Sequence, residues 1–179
     1  MFYTRLAFNK EDWKKPSGSD RKSLNFKTFE RRYNFAFEEW LFDNSMIIDD
    51  KKYGFVQGIA KSTQKRLNQN KIIFFTLDSA NNTRYKIAEL EKWQFVNSSD
   101  SIAIAKKFKI NGWLKKMRKQ VEDVGGDVIK FDEVAAGKGN ESLFNICFDF
   151  KDLNIYSVPI LVKKGNPIIG FNRYQLYGI

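Results

Sequence analysis

Histidine is absent from the 179 residues, and cysteine occurs once, at Cys147. The first absence removes Ser–His and Cys–His nucleophile pairs, histidine metal sites and the commonest general base together. With a single cysteine as well, a structural zinc site is excluded. A carboxylate-and-lysine nuclease centre stays chemically open, since it needs only acids to hold a metal ion and a lysine beside the attacking water. Glu89-Leu90-Glu91-Lys92 and Asp127-Val128-Ile129-Lys130 are the candidate stretches, although charges at that spacing are also what a solvated strand face shows. Gly137-Lys138-Gly139 lacks the glycine five positions before the Gly-Lys pair and the Ser or Thr after it that a phosphate loop requires, and reads as a loop between strands. The expectation is a protein with no catalytic centre of its own and no cofactor.

Binding chemistry is better represented. Lys and Arg number 31 against 21 Asp and Glu, for a formal charge of +10 and a pI near 9.6, which favours a polyanionic partner and a nucleic acid first. The charge is also sorted along the chain. Residues 51–77 hold six bases and no acid, whereas residues 122–152 hold eight acids against three bases. A distribution that only keeps a protein soluble has no reason to separate in this way. Two segments suit DNA. The polar arm of residues 9–33 carries Lys10, Lys14, Lys15, Arg21, Lys22, Lys27, Arg31 and Arg32 against four acids, and would contact phosphates. The pentapeptide Asn97-Ser98-Ser99-Asp100-Ser101 reads as a hairpin tip, in which Asn pairs with adenine, Asp accepts from cytosine N4 and Ser serves either role.

The elements that position these segments are mostly strands. Phe2 to Phe8, Tyr53 to Ala60, Lys71 to Leu77, Arg84 to Val96, Asp127 to Val134 and Leu143 to Phe150 read as a mostly antiparallel set, with an edge strand from Arg173 to Tyr177. After the tip, Ile102, Ile104 and Phe108 read as one more alternating run. Ser62 to Asn68 reads as at most two helical turns, and Phe35 to Phe42 as either a short helix or a buried strand. Asn111 is expected to cap a helix with Trp113, Leu114, Met117, Val121 and Val124 at helical spacing, ended by Gly125-Gly126. Hydrophobic content of 42%, with 17 Phe, supplies one sizeable core, so residues 1–179 are read as a single domain with an extended arm or insertion at about 9–50. The apolar runs are too short to cross a bilayer, the start has no signal-peptide layout, and a cytoplasmic protein is expected.

The stretch from Lys71 to Phe148 resembles the B-three DNA-binding domain of plant transcription factors and of some restriction enzymes. The likeness is carried in order by Ile72-Ile73-Phe74-Phe75, the Asn81-Asn82 turn, Trp93-Gln94-Phe95-Val96-Asn97-Ser98-Ser99-Asp100-Ser101, Gly112-Trp113-Leu114-Lys115-Lys116-Met117 and Gly126-Asp127-Val128-Ile129-Lys130-Phe131. It implies an α+β, mainly β fold: a seven-stranded antiparallel pseudobarrel with two or three short helices, Trp113 anchoring one helix and Gly126-Asp127 turning into a strand. It also implies two loops that grip the major groove. One contributes Lys14, Lys15, Ser17, Arg21, Lys22, Lys27, Arg31 and Arg32; the other contributes Gln94, Asn97, Ser98, Ser99, Asp100 and Ser101.

Trp13, Pro16-Ser17-Gly18, Glu38-Glu39-Trp40-Leu41 and Tyr53-Gly54-Phe55 resemble the amino-terminal specificity region of McrB-like restriction GTPases of the LlaJI type. That likeness implies a GTP-driven motor and a nuclease subunit as partners outside this chain. From the contrast of tip and phosphate chemistry, Asn97→Ala should relax or abolish sequence preference, and Lys22→Ala should weaken binding to all sequences alike. The rival readings are a modified-base reader that flips a base into a cage of Trp40, Tyr53 and Trp93, a metal-dependent nuclease, and a module that binds an acidic protein.

Overall fold

The computed structural model describes residues 1–18, 28–62, 71–138 and 141–178. Among them, nine strands and five α-helices follow in the order β1 (Phe2–Leu6), α1 (Phe29–Tyr33), β2 (Ile47–Ile48), β3 (Lys51–Gly54), α2 (Gln57–Ala60), β4 (Ile72–Asp78), β5 (Thr83–Leu90), β6 (Gln94–Phe95), α3 (Ser98–Ile110), α4 (Trp113–Asp123), α5 (Val128–Ala135), β7 (Ile146–Asp149), β8 (Leu153–Leu161) and β9 (Tyr177–Gly178). The class is α+β. The strands form two sheets, ordered β8-β5-β4-β1-β9 and β2-β3-β7-β6, and no closed barrel is present among the described residues. The pairing is antiparallel except for β1 against β4, which run parallel with Phe2 opposite Ile72 and Leu6 opposite Thr76.

The period-two alternation of strand side chains explains the layering. Ile146 and Phe148 of β7 face the five-stranded sheet and join Phe2, Leu6, Phe74 and Ile87 in one buried cluster. Cys147, between them, points the other way, into a second cluster where Ile104 and Phe108 of α3, Met117 and Val121 of α4 and Phe131 of α5 cover the four-stranded sheet. A third, smaller cluster of Phe75, Val162 and Ile168 covers the far face of the five-stranded sheet.

Several expected elements take another form. Asn97–Ser101 is not a hairpin tip but the cap and first turn of α3: Asn97 Oδ1 accepts from Asp100 N at 2.9 Å. The apolar residues that follow settle the choice, because Ile104, Ala105 and Phe108 fall on one helical face while Ile102 is 46% exposed, which an alternating strand would not allow. Asn111 ends α3 rather than capping the next helix, and Gly112, at φ 73°, lets the chain re-enter as α4 within two residues. Asp127–Val134 is helical as well, since the Asp127 side chain accepts from Lys130 N at 2.9 Å and so caps α5. Gly137-Lys138 therefore follows a helix.

The long strand expected to Val96 stops at Leu90, and β6 belongs to the other sheet. The strand expected to Ala60 stops at Gly54, with α2 beyond it. Phe37–Trp40 is a short 3-10 turn, and β8 carries no expectation from the sequence. The helical turns expected after Ser62 lie, from residue 63 to 68, outside the described residues. No helix among the described residues is long and apolar enough to cross a membrane.

Candidate nucleic-acid interface

Glu38 and Glu39, both buried, hold the neighbourhood of the site together. Glu38 accepts from Ala7 N at 2.8 Å, just beyond β1, and from Gln57 N at 2.7 Å, at the start of α2. Glu39 accepts from Ala36 N, Asn9 Nδ2 and Ser17 N, which fixes the arm after β1. Burial pushes the Glu38 carboxyl up to about 8, against the pull of its two backbone donors. The same cause raises Glu39. Ser17, expected on DNA, thus serves to anchor the arm.

Beside this junction lies a cleft with two lobes of about 250 and 210 Å³ that share Phe29, Phe37, Phe55, Gln57, Lys61 and Glu141. Phe95, Val96 and Ser98 are among the further residues of the first lobe, and Glu30, Glu38 and Tyr174 among those of the second. Phe37 packs against Phe29 at 5.4 Å and against Phe55 at 6.0 Å between ring centroids. The Tyr174 hydroxyl donates to Glu30 Oε1 at 2.7 Å, Arg5 lies over its ring at 4.8 Å, and burial raises the phenol well above its usual range. The two segments expected to reach DNA converge here. Phe29 stands in α1 with Arg31 and the exposed Arg32, whose guanidinium lies 5.3 Å from the Tyr33 ring, while Phe95, Val96 and Ser98 come from β6 and the start of α3.

The expected reading residues have other partners. Asn97 Nδ2 donates to Asp100 Oδ2 at 2.8 Å and Ser99 Oγ donates to Asn97 Oδ1 at 2.6 Å, so base pairing by Asn97 would dismantle the helix cap. Ser101 is 3% exposed and its hydroxyl accepts from Phe144 N. Ser98 is exposed in the cleft, whereas Gln94, exposed on the edge strand β6, accepts from Cys147 Sγ at 3.8 Å and lines a separate pocket with Lys51, Lys92 and Asp149. Lys14 and Lys15 lie with Lys10 beside Lys116 and Gln120 of α4, and Lys15 pairs with Glu11 at 3.2 Å. Arg21, Lys22 and Lys27 lie outside the described residues. Trp40 and Trp93 are core side chains, 3% and 1% exposed, and Tyr53 packs against Phe144, so none forms a cage. Glu89 and Glu91 both pair with Lys71, and no group of three Asp, Glu or Cys side chains able to hold a metal ion occurs among the described residues.

The strongest basic feature comes from the helices. Residues 101–119 contain seven bases and no acid. Folding them as α3, a two-residue turn and α4 places Lys106, Lys107, Lys109, Lys115, Lys116, Arg118 and Lys119 around one corner, with Ile110 at its tip 84% exposed. Four of these cations are engaged: Lys107 with Asp49, Lys116 with Asp43 and Ser45, Arg118 with Asp132, and Lys119 with Asp123. Lys106, Lys109 and Lys115 are exposed and have no ionic partner among the described residues. The sequence signal was the acid-free run itself. At 1.5 Å per residue α3 spans about 18 Å, so its cleft end and its basic end fit within the ~34 Å of one duplex turn.

No protein-family model, no curated protein and no solved structure matches this chain.

Proposed function

We propose that the protein binds double-stranded DNA site-specifically, as the target-recognition module of a restriction system whose GTPase motor and nuclease reside elsewhere, and that it works in the cytoplasm without catalysing a reaction itself. The observation that carries this reading is the corner of α3 and α4, where seven cations meet with no acid between residues 101 and 119. Lys106, Lys109 and Lys115 supply salt-dependent contacts to phosphate oxygens, because they give up no ion pair among the described residues to reach them. Base edges are read from the other end of α3, by Ser98 in the cleft and by Gln94 on the neighbouring strand β6, with Arg31 and Arg32 in the helix that carries Phe29 of the cleft. The B-three likeness contributes the ligand class to this proposal; its seven-stranded pseudobarrel is the part that the two sheets do not reproduce.

A mobility-shift titration of a mixed-sequence duplex at 50 and 200 mM salt tests the reading. Retention at low salt with an affinity that falls at least about 100-fold at the higher salt supports it. Absence of retention at 50 mM salt overturns it in favour of an acidic protein partner. Cleavage of the duplex when magnesium is added would overturn the non-catalytic part.

A further inference from the structure

We propose that the Phe29–Phe55 cleft receives a single nucleobase turned out of the double helix. The inference rests on the DNA-binding reading above and goes beyond it by giving the cleft an occupant. Four phenylalanines, Phe29, Phe37, Phe55 and Phe95, supply the walls, and aromatic walls favour a flat π-system over an aliphatic guest. Each lobe, near 250 Å³ or below, lies under the ~300–1,000 Å³ of drug-sized pockets and suits one ring system. The polar groups suit the edge of a heterocycle. The Gln57 side-chain amide, half-buried in the cleft, offers a donor and an acceptor and has no hydrogen-bond partner among the described residues.

The flanks of the cleft suit the backbone such a base would hang from. Lys61 is an exposed cation in the lining, Arg31 and Arg32 follow Phe29 in α1, and Ser98 opens α3. Extrusion costs a few kcal/mol of stacking and pairing, which a preformed aromatic pocket with the Gln57 amide in its lining offsets. Trp40 and Trp93 play no part, being buried elsewhere.

The test uses the full chain and two duplexes of the same sequence, one fully paired and one with 2-aminopurine at a central mismatch, where unpairing costs least. Wild type should bind the mismatched duplex about tenfold tighter than the paired one. Its 2-aminopurine emission should rise severalfold as the base leaves the stack. Gln57→Ala, which removes an amide with no hydrogen-bond partner among the described residues, should lose most of that preference. Equal affinities for the two duplexes with unchanged emission would overturn the proposal and leave DNA binding intact. Failure to bind either duplex would overturn the DNA reading itself. Free nucleosides, followed by chemical-shift changes of the Gln57 side-chain amide, then separate the sources: a response would keep the cleft as a nucleobase site but not for DNA, and no response would overturn both.

Discussion

Replacing Lys106, Lys109 and Lys115 together by Gln should reduce the salt dependence of DNA binding by a calculable amount. Each lysine that neutralises one phosphate contributes about 0.9 to the slope of log affinity against log salt, so the triple variant should lose about 2.7. With binding at 1 M salt unchanged, that difference becomes roughly 500-fold in affinity at 0.1 M. The lysines are exposed and carry no ion pair among the described residues, so the fold should not suffer. The control removes the same charge elsewhere. Lys163, Lys164 and Arg173 are exposed on the segment that leads into and out of the far-face cluster, and changing all three to Gln also takes the formal charge from +10 to +7. Fluorescence anisotropy of a labelled duplex between 50 and 400 mM salt measures both slopes. Equal losses from the two variants would show that binding follows net charge and not the helical corner.

Three predictions concern the fold. Stability should pass through a minimum near pH 8: Glu38, at about 8 when folded and 4.5 otherwise, keeps a proton the unfolded chain has lost, so this group costs about 1.4 kcal/mol per pH unit as pH rises through that window. Lys52 acts with the opposite sign, since burial outweighs the nearby Asp43 carboxylate and lowers it to about 8, so stability recovers between about 8 and the 10.5 of the unfolded chain. Urea midpoints from pH 5 to 10 check this, and a steady rise from 5 to 8 would contradict it. Gly58→Ala should destabilise by at least about 2 kcal/mol in the same assay, because its Cβ would lie 2.0 Å from Thr4 Oγ1 and 3.0 Å from the backbone of Gln175; a neutral effect would show that β1 and α2 are not packed as described. Asn97→Ala should cost about 1 kcal/mol through loss of the α3 cap, seen as a lower Tm, and an unchanged Tm would return Asn97 to the role of a base reader.

The parts of the fold legible in the sequence were those where apolar spacing and punctuation agreed. Met117 and Val121 at helical spacing, ended by Gly125 at φ 67°, are an example. Where a polar run could serve either as a turn or as a helix cap, local chemistry did not decide. Asn97–Ser101 and Gly126-Asp127 were both resolved by tertiary burial further along, at Phe108 and Phe131. Strand β8 was illegible for a different reason: it lies at a sheet edge, exposes Val158 and Leu161, and contains Pro159, so neither alternation nor continuous burial marks it. Of the candidate site, the sequence singled out the segments that carry Phe29 and Phe95, but not the cleft that these two side chains line. Its walls come from Phe29, Phe37, Phe55 and Phe95, which in a chain with 17 phenylalanines are indistinguishable from core until the backbone is folded.

Site-specific DNA binding is tested by a selection from a random duplex library by the wild-type chain at moderate salt. The expected result is recovery of DNA with a short enriched motif in the unmodified pool. Recovery without enrichment would contradict site-specific reading, and failure to recover any duplex would contradict DNA binding altogether.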